Sequence, residues 1–208
     1  MHFCKKISIF NKKVARKAFL NRDTKETKVS CSLNLDGKGE NNVSTGIKFL
    51  DHMLGLFSKH SLVDLELKAE GDVDVDDHHT IEDVAIVLGK CIEKALADKS
   101  GINRYGAAFV PMDDSLARCV LDLSGRGYCV YDAEFSRAKI SDLSTEMIEH
   151  FFKSMAENLK ANIHISLLYG RNNHHRSEAM FKSLALALRE AVTVNPRISG
   201  VQSTKGKL

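Results

Sequence analysis

The chain contains an internal duplication, and that duplication limits how it can fold. His78-His79-Thr80-Ile81-Glu82 and His174-His175-Arg176-Ser177-Glu178 share the pattern His-His-x-x-Glu, 96 residues apart. Upstream, His52 in Leu50-Asp51-His52 has its counterpart 98 residues later, His150 in Ile148-Glu149-His150. Further back, the stretches 31–39 and 119–127 both read C-x-L-x-L-x-G-x-G, 88 residues apart. Alternating apolar and polar residues mark a half-buried strand, and the glycines mark the turn that ends it. Three features recurring in one order at nearly one offset describe a supersecondary unit used twice. The fold expected is a pseudo-twofold pair of strand-and-helix halves, with the same three polar positions in each.

A coarse reading places strands at 29–35, 62–68, 105–110, 117–123, 128–135 and 162–168. Helices are expected at 47–60, 78–97, 145–160 and 174–194. The first helix carries Phe49, Leu50, Met53, Leu54 and Phe57 on one stripe. Asp76 and Asp77 stand where they can cap the second. Strands and helices in this order predict an α+β arrangement, with helices stacked on one face of mixed or antiparallel sheets. The expected organisation is an N-terminal extension over 1–13, half-repeats over 14–98 and 99–194, and an irregular tail over 195–208.

The repeated motif carries the chemistry. Residues four apart share a helix face, so His78 lies over Glu82 and His174 over Glu178, while His79 and His175 turn about 100° away. Two copies facing each other could build two metal sites, each drawing on both helices. Imidazole with carboxylate suits divalent first-row transition metals better than magnesium or calcium. A polar first turn on a surface helix explains one copy equally well, but not two in register. The acidic run Asp72 to Asp77 lacks the glycine and terminal glutamate of an EF-hand loop and reads as capping and solvation.

Composition excludes several classes. An apolar fraction of 43% and a charged fraction of 27% are those of a globular domain. No apolar run reaches the ~18 residues of a membrane span. A net charge of +3 admits an anionic ligand, but no basic stripe with interleaved aromatics points to nucleic acid. Five scattered cysteines without C-x-x-C read as free thiols in a reducing compartment. The basic opening 1–13 has no apolar signal core, which predicts a cytoplasmic protein, or a plastid one if that opening is a transit leader.

Several motifs together carry a family resemblance. They are T-K-E-T at 24–27, D-H-M-L at 51–54, D-D-H-H-T-x-E-D at 76–83 and G-x-N-R-Y-G at 101–106. L-D-L-S-G-R at 121–126, E-H-F-F at 149–152, H-H-x-x-E-A-x-F-K at 174–182 and S-T-K-G at 203–206 complete the set. From about Arg16 onward the chain resembles the monofunctional imidazoleglycerol-phosphate dehydratases of histidine biosynthesis.

That resemblance implies metal-dependent dehydration of imidazole glycerol phosphate to imidazole acetol phosphate, with two Mn2+ per active site; other divalent ions would also be accepted. It implies a fold like the second domain of ribosomal protein S5. It also implies a homo-oligomer of twenty-four subunits built from trimers, with active sites between subunits. Carried over by position, the metal ligands are His52, His78, His79, Glu82, His150, His174, His175 and Glu178. Glu26 takes the proton-transfer role, and its repeat counterpart is Asp114. Arg104, Arg126, Lys182, Ser203 and Lys205 hold the phosphate, with Lys182 one helical turn beyond Glu178. His60 and Asp113 are further pocket residues. The sequence leaves open which histidine joins which ion; the facing of the motif favours His78 and Glu82 on one and His79 on the other. A ferritin-like di-iron bundle also pairs carboxylates with histidine, but the glycine-ended strands argue against it. An S5-like nucleic-acid module would have no use for eight ligand side chains.

Overall fold

The computed structural model describes residues 15–208, so the expected extension 1–13 and His2 lie outside the described residues. The order of elements repeats. The first half runs β1 (Lys17–Asp23), β2 (Thr27–Asn34), β3 (Asn41–Ser44), α1 (Lys48–Ser61), β4 (Asp64–Gly71), α2 (His78–Leu96). The second runs β5 (Tyr105–Met112), β6 (Ser115–Asp122), β7 (Tyr128–Asp132), then the short pair β8 (Lys139–Ile140) and β9 (Leu143–Ser144), α3 (Glu146–Leu159), β10 (Asn162–Tyr169), α4 (Asn173–Ala191). The sheets have orders β1-β2-β4-β3 and β5-β6-β10-β7, each with two antiparallel pairings and one parallel pairing at the end. Each parallel pair is joined through a helix, as a parallel crossover requires.

Period-two patterning sets the inward faces. In β2, Thr27, Val29, Cys31 and Leu33 point in; in β6, Ser115, Ala117, Cys119 and Leu121 do the same. The sequence reading missed β1 and β3, which bury almost nothing. β1 buries only Ala18, and β3 is the polar segment Asn41–Ser44, so neither shows the alternation of a half-buried strand.

The helices lie against the sheets and interlock between halves. α2 covers β1 and β2 and packs on α3, while α4 covers β5 and β6 and packs on α1. Gly89 permits the first crossing, because a Cβ there would come within 2.9 Å of the Met155 carbonyl and the Leu159 amide. Phe151 and Phe152 on α3 meet Phe181 on α4 with ring centroids 5.2 and 5.1 Å away. Each such fully buried aromatic contributes about 1.5–3 kcal/mol, so the two halves share one core.

Two expectations are corrected. The motif helices α2 and α4 do not face each other; α2 faces α3, which carries His150, and α4 faces α1, which carries His52. The second concerns capping. Asp76 accepts the His78 amide at 3.0 Å, but Asp77 reaches across to the Ser144 amide at 2.6 Å and ties α2 to β9.

The outer faces of the sheets differ. The first presents Phe19, Ser32, Glu66 and Asn42 in one cross-strand row, polar apart from the exposed Phe19. The second presents Ala107, Val120, His164 and Val130 in the corresponding row, with Phe109 and Tyr128 more than 60% exposed. Among the described residues no helix is long and apolar enough to cross a membrane.

Candidate metal centre

The interlocked helices bring the repeated residues together in two groups, His52 with His174 and Glu178, and His78 with Glu82 and His150. Within each group the donor atoms all lie within 4.8 Å of one another. Helical spacing places His and Glu on one face of α2 or α4, and the packing of α3 or α1 supplies the third residue. The ring centroids of His78 and His150 are 4.6 Å apart, and those of His52 and His174 are 5.5 Å apart.

Both groups fit a divalent cation. Two imidazoles and a carboxylate are a borderline donor set. His150 Nε2 is buried with no hydrogen-bond partner, 3.5 Å from Glu82 Oε1, an orphaned lone pair or N–H that a ligand would satisfy. In the other group a cation already stands in. Lys182 Nζ lies 2.5 Å from Glu178 Oε2, while His52 and His174 Nε2 lie 3.1 and 2.9 Å from Oε1. Burial pushes the Glu178 carboxyl up, but Lys182, His52 and His174 outweigh it and hold the group down at about 2. The α4 start is fixed by Asn172, whose side chain accepts the His174 amide at 2.9 Å.

His79 and His175 join neither group within the chain. Each instead has its Nδ1 on a carboxylate: His79 is 3.0 Å from Asp72, and His175 is 2.6 Å from Asp114. A histidine held this way presents Nε2 as its free donor, the arrangement metal-ligating imidazoles adopt. The carboxylates come from different places in the two halves. Asp72 lies in the β4–α2 connection and Asp114 in the β5–β6 turn. The Asp72 contact raises the His79 pKa. Asp114, bound by His175 and by the Arg171 and Asn172 amides at 2.5 and 3.1 Å, is held far below the usual carboxylate range. Nothing in the run 72–77 itself separates Asp72 from the other aspartates.

Glu26 sits in the β1–β2 turn, half exposed, its Oε1 4.0 Å from His79 Nε2. Its counterpart Asp114 is pinned by three hydrogen bonds, whereas Glu26 accepts none among the described residues. On the opposite side of His175, Asp113 Oδ2 is 3.6 Å from Nε2.

A separate cavity of about 620 Å³ gathers Arg104, Arg126, Ser203 and Lys205 with Lys207. The tail is strapped there by bridges of Val201 to Ser100 and Val194 to Ile102. Gly125, at φ +77°, is required where Leu208 packs, since a Cβ would lie 2.6 Å from its carbonyl carbon. Arg104 is committed to Asp122 at 2.7 Å and to the Gln202 carbonyl at 2.7 Å. Arg126 and Lys205 have no ion-pair partner among the described residues. Lys182 is not in this cavity but beside Glu178.

Comparison with known proteins agrees with this geometry. The sequence profile described as Imidazoleglycerol-phosphate dehydratase matches residues 45–188. The imidazoleglycerol-phosphate dehydratase of Chloroherpeton thalassium is 60% identical over 191 residues, covering 92% of this chain and 97% of that protein. That of Listeria monocytogenes is 56% identical over 193 residues, covering 93% and 100%. The crystal structure of the Staphylococcus aureus dehydratase superimposes with a TM-score of 0.78 at 37% identity, covering 86% of this chain and 99% of that one. The Pyrococcus furiosus enzyme, in complex with (S)-C348, gives 0.77 at 34% identity, covering 91% and 100%. The chain belongs to the imidazoleglycerol-phosphate dehydratase family.

Proposed function

We propose that the chain is a hydro-lyase of histidine biosynthesis that converts imidazole glycerol phosphate to imidazole acetol phosphate with two divalent metal ions, Mn2+ in the first instance. Family membership supports the reaction. The observation that carries the metal dependence is the pair of His-His-Glu groups, built twice by pseudo-symmetric helix packing.

The residues that would hold the metals are His52, His174 and Glu178 for one and His78, Glu82 and His150 for the other. His79 and His175, which join neither group within the chain, would complete the sites of neighbouring copies. When bound, the ions supply Lewis acidity and a template that orients the imidazole ring. The carbon-bound proton lost in this dehydration is not adjacent to a carbonyl and is weakly acidic, so a positioned base is needed. Glu26 fits that task, because its carboxylate accepts no hydrogen bond among the described residues and its nearest partner, His79 Nε2, stands 4.0 Å away. The hydroxyl leaves as water, and the resulting enol rearranges to the ketone.

Arg126, Ser203 and Lys205 hold the phosphate, with Arg104 shaping the pocket through Asp122; planar guanidinium and point-charge ammonium are complementary phosphate donors. Lys182 serves the same anion from the metal side. A homo-oligomer is supported by His79 and His175, which join neither group within the chain, and by the apolar outer face of the second sheet. The twenty-four-subunit shell and the S5-like ancestry rest on the family resemblance. Turnover of imidazole glycerol phosphate by Mn2+-reconstituted protein, lost on chelation, is the expected result. A chelated, metal-free protein with full activity would end the metal reading.

A further inference from the structure

The T-K-E-T segment and the acidic residue that follows Glu82 are linked by a continuous set of hydrogen bonds. Asp83, buried in the first turns of α2, accepts Arg22 Nε at 2.7 Å on one oxygen and the Thr27 hydroxyl on the other. Thr27 Oγ1 lies 3.2 Å from Thr24 Oγ1. Thr24 Oγ1 in turn accepts the amides of Glu26 at 3.2 Å and Thr27 at 2.9 Å. The chain of contacts runs from the helix that carries His78 and Glu82 to the backbone of Glu26.

The duplication supplies an internal control. At the repeat offsets, Arg22, Thr24, Thr27 and Asp83 correspond to Val110, Met112, Ser115 and Ala179. None of the first half's clamp survives there, and the buried Ser115 hydroxyl has no partner. The β5–β6 hairpin is tied to its helix instead by the turn carboxylate itself, Asp114, which is bound by His175 and by the Arg171 and Asn172 amides. In the first half the tie runs through Asp83, Thr27 and Thr24 and leaves the turn carboxylate of Glu26 outside it.

We infer that Asp83 is a positioning residue for proton transfer, holding the β1–β2 turn so that Glu26 stays in register with the metal-bearing first turn of α2. It acts through Thr27 and Thr24 and touches no substrate. The inference rests on the reading of Glu26 as the proton carrier. Its physical basis is that a buried carboxylate accepting two side-chain donors fixes both partners, and that misplacing a catalytic group by about 1 Å can cost about 10²-fold in rate.

The test uses the metal-loaded, assembled enzyme. Thr27→Val keeps the shape of threonine and removes its hydroxyl; Asp83→Asn keeps the shape of aspartate and removes its charge. Both are expected to lower kcat by about 10- to 10²-fold while KM and bound metal stay near wild type. Thr27→Ser, which retains the hydroxyl, is expected to recover most of the loss. On a Glu26→Gln background, Thr27→Val is expected to cause no further slowing, because the group it positions is already gone. Wild-type kcat in Thr27→Val, or equal slowing of wild type and Glu26→Gln, would overturn the inference, as would loss of metal from Asp83→Asn. Native turnover by Glu26→Gln alone would instead remove the proton-carrier reading, a separately visible failure. Should Asp83→Asn fail to fold, the threonine series still decides.

Discussion

Removing the charge of Glu178 tests the electrostatics of the site without requiring turnover. In the metal-free protein its carboxylate is shared by Lys182 at 2.5 Å, His174 at 2.9 Å and His52 at 3.1 Å. The side chains of Glu178 and Lys182 are only 9% and 15% exposed, so solvent screens the pair little. A glutamate that ordinarily titrates at 4.5 and is held at about 2 here gains roughly 3 kcal/mol of folding stability at neutral pH. Because the folded-state value is depressed, that contribution is complete above the unfolded value. It disappears as pH falls from 4.5 through about 2.

Glu178→Gln should therefore lower the unfolding free energy of the metal-free protein by about 3 kcal/mol at pH 7, leaving the Lys182 ammonium without its counter-ion. The gap should be unchanged at pH 5.5 and should narrow below pH 4.5. Adding Lys182→Met should recover part of the loss, since removing both partners spares the orphaned charge. Urea unfolding at matched protein concentration reads all three effects. Equal midpoints for wild type and Glu178→Gln at pH 7 would refute the reasoning, as would a double variant less stable than the single one.

Glu26→Gln should keep its two metals and its assembled size yet turn over about 10²- to 10⁴-fold more slowly, as loss of a general base typically costs; elemental analysis showing lost metal would make Glu26 a ligand instead. Arg126→Ala and Lys205→Ala should chiefly raise KM, each charge-assisted contact contributing roughly 1.5–3 kcal/mol, and unchanged kinetics in both would exclude them from the phosphate site. Asp114→Asn frees His175 Nδ1 from its partner at 2.6 Å. Chelator competition should then show metal held about 10- to 100-fold more weakly, and wild-type affinity would mean that His175 is not a ligand.

Much of this protein is set locally and so is readable in the chain. The period-two runs at 29–35 and 117–123 became β2 and β6, and the four expected helices became α1 to α4 within a few residues, because each buries one apolar face whose period survives in sequence. The sharing of one helix face by His78 with Glu82, and by His174 with Glu178, follows from helical geometry alone, as does the divergence of His79 and His175. What pairs with those faces does not follow. His150 meets His78 and Glu82, and His52 meets His174 and Glu178, only because α2 packs on α3 and α4 on α1 across the two halves. That choice depends on core complementarity, such as the close approach at Gly89, which leaves no periodic trace. The strands β1 and β3 escaped notice because they lack a buried face to pattern them: β1 buries Ala18 alone and β3 no residue. The carboxylates on His79 and His175 are a tertiary matter in the same way. One comes from a helix entry and the other from a hairpin turn, so the duplication that predicted the ligands could not predict what orients them, and the fold alone left Glu26 unpinned while fixing Asp114.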